Sequence, residues 1–253
     1  MCWKFLDSGA RDGAEQMALD AGLMDRARVT GEAVFRVYAW SRATLSFGRH
    51  ESVRERFSPA VLAKCNVDAV RRPTGGRVLL HHHEVTYSVT APVDAGTPAR
   101  QSYRRINEML SDALRRIGVH VREATAAAAR GPGNGACFAA PSAGELVVDG
   151  RKLVGSAQVR ERGALLQHGS ILLEDDQARI AELAVGPMTP ARPAATLRHC
   201  LGHAPTYAAV AEALAAALYA VAPGAAELPS SDADAYAAPH VAQFANAEWT
   251  WRR

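Results

Sequence analysis

Cys137 carries the strongest nucleophile of the chain in a setting that could use it. The glycine-rich run Arg130-Gly131-Pro132-Gly133-Asn134-Gly135 precedes it, Pro141-Ser142 follows, and a hairpin pattern bearing Lys152 comes next. A lone cysteine is by type a small apolar residue of the core. The thiolate is its reactive form, and a neighbouring cation favours that form. Exchange of a thioester onto a thiol is nearly balanced, so a cysteine suits an acyl intermediate drawn from a carrier thioester. A lysine just after a hairpin turn, such as Lys152, is by default solvated.

A second group of candidates lies in Arg71-Arg72-Pro73-Thr74-Gly75-Gly76-Arg77-Val78-Leu79-Leu80-His81-His82-His83. Glycine admits a ligand close to the backbone and permits positive φ, and Pro73 suits the entry to such a turn. A Gly-Gly turn can also simply join two strands; the flanking arginines and histidines favour a binding turn. On a strand, His81 and His83 would share a face and His82 would point away. Two imidazoles without a third ligand make a weak zinc site, so no metal is expected.

These stretches together resemble a known family. Arg71-Arg72-x-Thr74-Gly75-Gly76 followed by His81 is similar to a signature of lipoate–protein ligases and octanoyltransferases, which share a catalytic fold with biotin–protein ligases. Cys137-Phe138-x-x-Pro141-Ser142, then Glu145 to Gln158 with its Asp149-Gly150-Arg151-Lys152-Leu153-Val154-Gly155-Ser156-Ala157 core, then Gln167-His168-Gly169-Ser170, agree in the same order. The cysteine before Pro-Ser resembles the LipM-type octanoyltransferase branch. The resemblance implies an α+β fold: a mixed, largely antiparallel sheet flanked by helices, with a smaller second sheet from the Leu146–Leu173 hairpins. It implies one catalytic domain over residues 1–253, without an accessory C-terminal domain.

It also implies roles. Cys137 and Lys152 are the expected catalytic pair, with Lys152 protonated and facing the acyl carbonyl as an oxyanion donor. Arg71, Arg72, Thr74, Gly75, Gly76 and His81 are expected at the substrate; by residue type the two arginines are either ordinary surface side chains, or one orders the turn and the other meets an acidic partner. Gly155, Ser156 and Ala157 suit a narrow tunnel for an eight-carbon chain, and His168 and Gly169 complete the pocket. The implied reaction moves octanoate from octanoyl-acyl carrier protein through Cys137 to a lysine of a lipoyl domain or glycine-cleavage H protein, with no cofactor. An ATP-dependent ligase, an amidotransferase between lipoyl-accepting proteins and a non-catalytic binder of acylated carriers are the competing readings. Two departures from the family pattern, Ala21 and Glu51, keep the last one open.

The bulk properties set the frame. A chain of 253 residues buries a sizeable core. A net charge of +3 fits an acidic protein partner, and without a dense Lys/Arg run or more than 6% aromatic residues there is no platform for nucleic acid. No stretch is apolar enough for a membrane, and the first residues lack a signal-peptide core, so a cytoplasmic monomer is expected. Cys2, Cys65, Cys137 and Cys200 form no CxxC and no disulfide framework.

The elements that must position these residues follow from periodicity. Helices are predicted over residues 12–28, 58–65, 102–117, 175–185 and 207–221, with a further helical piece over 232–244 interrupted by Pro239. Residues 33–40 and 43–49 read as a hairpin joined at Ser41-Arg42, and 68–72 and 119–123 as further strands. Val85, Tyr87 and Val89 alternate with Thr86 and Ser88. Leu146–Val154 turns on Asp149-Gly150, and Ser156–Arg160 pairs with Leu165–Leu173. Residues 124–136, rich in alanine and glycine, are expected to form a mobile lid beside Cys137 that orders when octanoate binds.

Overall fold

The computed structural model describes residues 2–93, 96, 98–125, 136–139 and 141–253. Most of the expected lid, residues 126–135, lies outside the described residues. The strands are β1 (Trp3–Arg11), β2 (Ala33–Trp40), β3 (Thr44–Phe47), β4 (Asp68–Arg71), β5 (Leu79–His81), β6 (Glu84–Pro92), β7 (Arg122–Glu123), β8 (Leu146–Val148), β9 (Arg151–Glu161), β10 (Ala164–Leu172) and β11 (Ala226–Glu227). The helices are α1 (Gly13–Thr30), α2 (Pro59–Lys64), α3 (Ala99–Arg116), α4 (Arg179–Glu182), α5 (Leu197–Leu201), α6 (Tyr207–Val221), α7 (Ser230–Ala245) and α8 (Ala247–Thr250).

Eight strands form one sheet in the order β11-β1-β2-β6-β10-β9-β8-β7, parallel at β11-β1-β2 and antiparallel from β2 onward. The fold is therefore α+β with a mixed, largely antiparallel sheet. The alternation along the central strands sorts side chains to two helical layers. Phe35, Val37, Val85, Tyr87 and Val89 pack with Ile106 and Leu110 of α3 and Leu214 and Leu218 of α6. On the other side Val34, Tyr38 and Trp40 pack under Met17, Leu19 and Leu23 of α1 and Ala233 and Ala237 of α7. Gly22, which weakens α1 by propensity, lets α7 approach: a Cβ there would lie 2.4 Å from the Tyr236 carbonyl oxygen. No helix among the described residues is long and apolar enough to cross a membrane.

The second sheet is smaller, as expected, but its strands are β4-β3-β5. The Leu146–Leu173 hairpins instead complete the large sheet. The expected 33–40/43–49 hairpin does not form either. β2 is already paired on both edges, by β1 and β6, so β3 has no free edge there and pairs with β4 and β5. The predicted helix over 175–185 contracts to the single turn α4, because Asp175 accepts from the backbone of Gln177 and Ala194, and Asp176 bonds His82. Such side-chain captures compete with helix formation. α7 runs unbroken through Pro239. Strand β1 and helix α5 have no counterpart among the sequence-predicted elements.

The Asp149-Gly150 turn forms with both residues at positive φ, 49° and 73°, the geometry that a two-residue hairpin requires. Just beyond it the ladder slips. Leu146 pairs with Val154 but Val147 pairs with Lys152, so Leu153 is an extra residue on β9. A bulge of this kind re-aims side chains. Leu153 and Val154 both enter the core, and Lys152 and Gly155, three apart, both face the same cavity.

Candidate active site

The cavity lies between the small sheet, the β9-β10 ribbon and the turn that carries Cys137, and the described residues enclose about 170 Å³. Cys137 opens a single 3-10 turn (Cys137–Ala139), and its N–H donates to the Val78 carbonyl at 2.9 Å. The Lys152 ammonium approaches it from β9, 3.4 Å from Cys137 Sγ and 3.0 Å from the Cys137 carbonyl oxygen. The same ammonium lies 2.7 Å from Glu145 Oε1 and 4.8 Å from the centre of the Phe138 ring. Glu145 Oε2 in turn accepts from the Ser142 N–H at 2.7 Å. Lys152 is 3% exposed, so it is not the solvated lysine that its place after a turn implies. Burial acts to lower its pKa, but the adjacent Cys137 sulfur and Glu145 carboxylate outweigh burial and hold it above the ordinary lysine value. The group is an ammonium ion at neutral pH.

Arg71 and Arg72 are both buried, which overturns the surface reading and the acidic-partner role. Arg72 donates to the carbonyls of Ser46, Gly75 and Arg77 and to Ser46 Oγ. Four acceptors around one guanidinium pin the glycine turn. Burial lowers the pKa of Arg72, with Cys137 and Glu51 opposing. Arg71 lies outside the cavity and donates to the carbonyls of Gly48, Glu51 and Thr250, tying the C-terminal segment to the end of β3. Gly76, at φ 103°, needs a conformation that L side chains rarely adopt, and its carbonyl fills the place a Cβ on Gly48 would take. Gly75 acts only through its carbonyl, as an acceptor from Arg72.

His81 lines the cavity wall, stacked on Trp40 with ring centres 3.9 Å apart. Its Nδ1 lies 2.7 Å from Glu84 Oε1. Burial pushes the His81 pKa down, partly opposed by Glu84, so the imidazole is neutral with Nδ1–H donating. Burial acts to raise the Glu84 pKa, but His81 and the hydroxyls of Ser170 and Thr86 more than offset it, and the carboxyl titrates below its ordinary value. His168 lines the cavity too; its Nδ1 is 2.8 Å from Asp20 Oδ2 and its Nε2 2.6 Å from Thr74 Oγ1. Thr74 therefore serves the site through His168 and does not line it. Asp20, buried between His168 and Arg36, keeps its pKa below normal: burial raises it, and the His168 hydrogen bond and the Arg36 charge lower it further.

Gly155, Ser156, Ala157 and Gly169 form the floor. A Cβ on Gly155 would meet Lys152 Cε at 2.7 Å, and one on Gly169 would meet the Gly155 carbonyl oxygen at 2.4 Å. Ser156 Oγ bonds the Tyr87 hydroxyl at 2.7 Å, which also accepts from Gln167. Burial pushes the Tyr87 pKa up to about 12, against those two hydrogen bonds.

Of the residues singled out from the sequence, Cys137, Lys152, Arg72, Gly76, His81, Gly155, Ser156, Ala157, His168 and Gly169 meet in this cavity, while Arg71, Thr74 and Gly75 do not line it. Glu145, Asp20 and Glu84 were missed. Asp20 had a signal: it sits between Met17 and Met24 on the apolar stripe of α1, where a carboxylate must find a buried partner. The two departures have structural roles. Ala21 packs at the edge of the α1/α7 core. Glu51 accepts from the N–H groups of Gly48 and Val78 and from Arg56, so it braces the Val78 backbone that holds Cys137.

Comparison with known proteins gives concordant results. Residues 12–219 match the lipoyl protein ligase A/B catalytic domain family. The octanoyltransferase LipM of Bacillus subtilis is 39% identical over 195 residues, covering 73% of this chain and 70% of that protein. The octanoyltransferase LipM of Kyrpidia tusciae is 41% identical over 196 residues, covering 72% and 70%. Among solved structures, a lipoate-protein ligase A bound with ATP superposes with a TM-score of 0.78 at 18% identity, over 99% of this chain and 98% of that one. A bipartite lipoate protein ligase from Thermoplasma acidophilum gives 0.76 at 18% identity, over 99% and 96%. At these identities the structural likeness speaks for the fold.

Proposed function

The chain belongs to the lipoyl protein ligase A/B catalytic-domain family, and from that membership we propose that it is an octanoyltransferase of lipoate assembly working through Cys137. One observation carries the mechanism: Cys137 Sγ stands 3.4 Å from a buried lysine ammonium. The Cys137 thiolate attacks the carbonyl carbon of an octanoyl thioester on an acyl carrier protein. The ammonium of Lys152 donates to the oxyanion of the tetrahedral intermediate. On collapse the carbon–sulfur bond to the carrier breaks, and the carrier thiol leaves with a proton that Lys152 can supply. A lysine amine of a lipoyl domain or glycine-cleavage H protein then attacks the octanoyl-Cys137 thioester. The amide forms, the thioester bond breaks, and the proton lost by the amine restores the Cys137–Lys152 pair. An amide is more stable than a thioester, so no ATP is consumed.

Glu145 balances the charge of Lys152 and fixes its direction. The glycine floor and the cavity volume, below the roughly 300–1,000 Å³ of pockets for drug-sized ligands, suit a slim acyl chain. An ATP-dependent ligase works through an adenylate and has no use for the Cys137–Lys152 contact, and the names of the relatives at 36–41% identity also favour transfer. The test is intact-protein mass after mixing with octanoyl-carrier protein in the absence of ATP. The expected result is one octanoyl group, mapped to Cys137 and discharged by an acceptor domain. Octanoylation only with ATP and free octanoate, or an adduct elsewhere, overturns the proposal. A donor assay with octanoylated H protein separates transfer from the carrier from amide-to-amide transfer.

A further inference from the structure

The turn between β5 and β6 carries His82 and His83, for which the cavity has no use. Their rings do not point apart as strand alternation predicts: the centres are 3.7 Å apart. The sequence offers them no third ligand, but the fold brings one from 94 residues away, with Asp176 Oδ2 lying 2.7 Å from His82 Nδ1. One donor atom from each of His82, His83 and Asp176 lies within 4.8 Å of the others.

We propose that these three side chains form a divalent transition-metal site on the outer face of the β5-β6 turn. The donor set, two imidazoles and a carboxylate, matches zinc and its neighbours rather than calcium or magnesium, which take oxygen ligands. Metal–ligand bonds of about 2.0–2.2 Å place tetrahedral donors about 3.4 Å apart, so His82 and Asp176, now 2.7 Å apart, must separate slightly to take an ion between them. The backbone beneath is already braced. The His83 carbonyl accepts from the N–H groups of Leu173 and Glu174, and the buried Gln177 side chain bonds both the N–H and the carbonyl of Leu80. Two segments distant in sequence are thus held in register before any ion arrives. Arg179, 3.4 Å from Asp176 Oδ2, competes for the carboxylate, and Arg198 holds the neighbouring Glu174. Binding is therefore moderate, and solvent completes the coordination. The turn leads straight from Leu79 and His81, which line the acyl cavity, so an ion would stiffen that wall.

The test titrates the full-length protein with Zn²⁺ against a chromophoric chelator, and with Co²⁺ by visible absorption. The Cys137→Ala background is used so that the thiol cannot contribute. One equivalent is expected, with a raised melting temperature. His83→Ala and Asp176→Asn should each weaken binding by about tenfold or more and abolish the thermal shift. His83 is exposed, so its variant folds; Asp176→Asn keeps the shape. Unchanged affinity in both variants, a thiolate-to-cobalt charge-transfer band, or no stoichiometric binding would each overturn the site.

Discussion

Replacing Lys152 with methionine should separate what this residue does for the fold from what it does for the reaction. Methionine nearly preserves volume, so the packing against Phe138 and over Gly155 survives. The charge does not. Glu145, 5% exposed and 2.7 Å from the ammonium, is left as a buried carboxylate whose remaining hydrogen bond among the described residues comes from the Ser142 N–H. Removing one partner of a buried ion pair costs about 3–5 kcal/mol; an effective dielectric near 20 puts the attraction itself at about 4 kcal/mol for charges 4 Å apart. The reaction loses one oxyanion donor, about 3–4 kcal/mol or roughly 100- to 1,000-fold. A second change, Glu145→Gln, removes the orphaned charge. The Lys152→Met/Glu145→Gln protein should therefore recover most of the lost stability and almost none of the rate. Lys152→Arg keeps the charge but brings a planar, wider head into a packed slot and should restore little activity. Urea unfolding reads the first quantity, and single-turnover octanoylation of Cys137 followed by intact mass reads the second. Acylation at the wild-type rate by Lys152→Met would refute the oxyanion role. A double variant no more stable than the single one would refute the charge-balance account of Glu145.

Cys137→Ala should abolish transfer with unfolding behaviour unchanged, while alanine at Cys2, Cys65 or Cys200, all free thiols away from the cavity, should leave acceptor octanoylation near wild type. Gly155→Ala would push a methyl group to 2.7 Å from Lys152 Cε; overpacking of this kind costs about 1–3 kcal/mol, and a thermal melt with a single-turnover assay should show both lower stability and slower acylation. His81 has a depressed pKa in the fold, so the unfolded chain binds the extra proton first. Its contribution to stability is complete above the unfolded value near 6.5 and is lost as pH falls below it. Urea midpoints between about pH 7.5 and 5 should decline in the wild type and flatten in His81→Gln; an equal slope in both would show that another group carries the titration.

Several parts of this architecture can be read from the chain because their causes are local. The 3.6-residue repeat of α3 and α6, the alternation of Val85, Tyr87 and Val89 with Thr86 and Ser88, and the Asp149-Gly150 turn each depend on neighbours a few residues apart. Cys137, Lys152, His81 and the glycine floor are recognisable by type and order, through the family pattern that they resemble. What the chain does not display is which elements meet. The two-residue link Ser41-Arg42 looks like a hairpin turn, yet both edges of β2 are taken, and β3 goes to the other sheet. Lys152 faces Cys137 because one residue slips in the β8-β9 ladder, a register choice that no local pattern encodes. The arginines are buried because carbonyls from the glycine turn, β3 and the C-terminal segment converge on them. Asp20 reaches His168 across 148 residues, and Asp176 reaches His82 across 94. Side-chain type and short-range periodicity are properties of the sequence itself. The partner that makes a carboxylate a charge balance, a brace or a ligand is chosen by long-range burial and strand register, and these exist only once the sheets have closed.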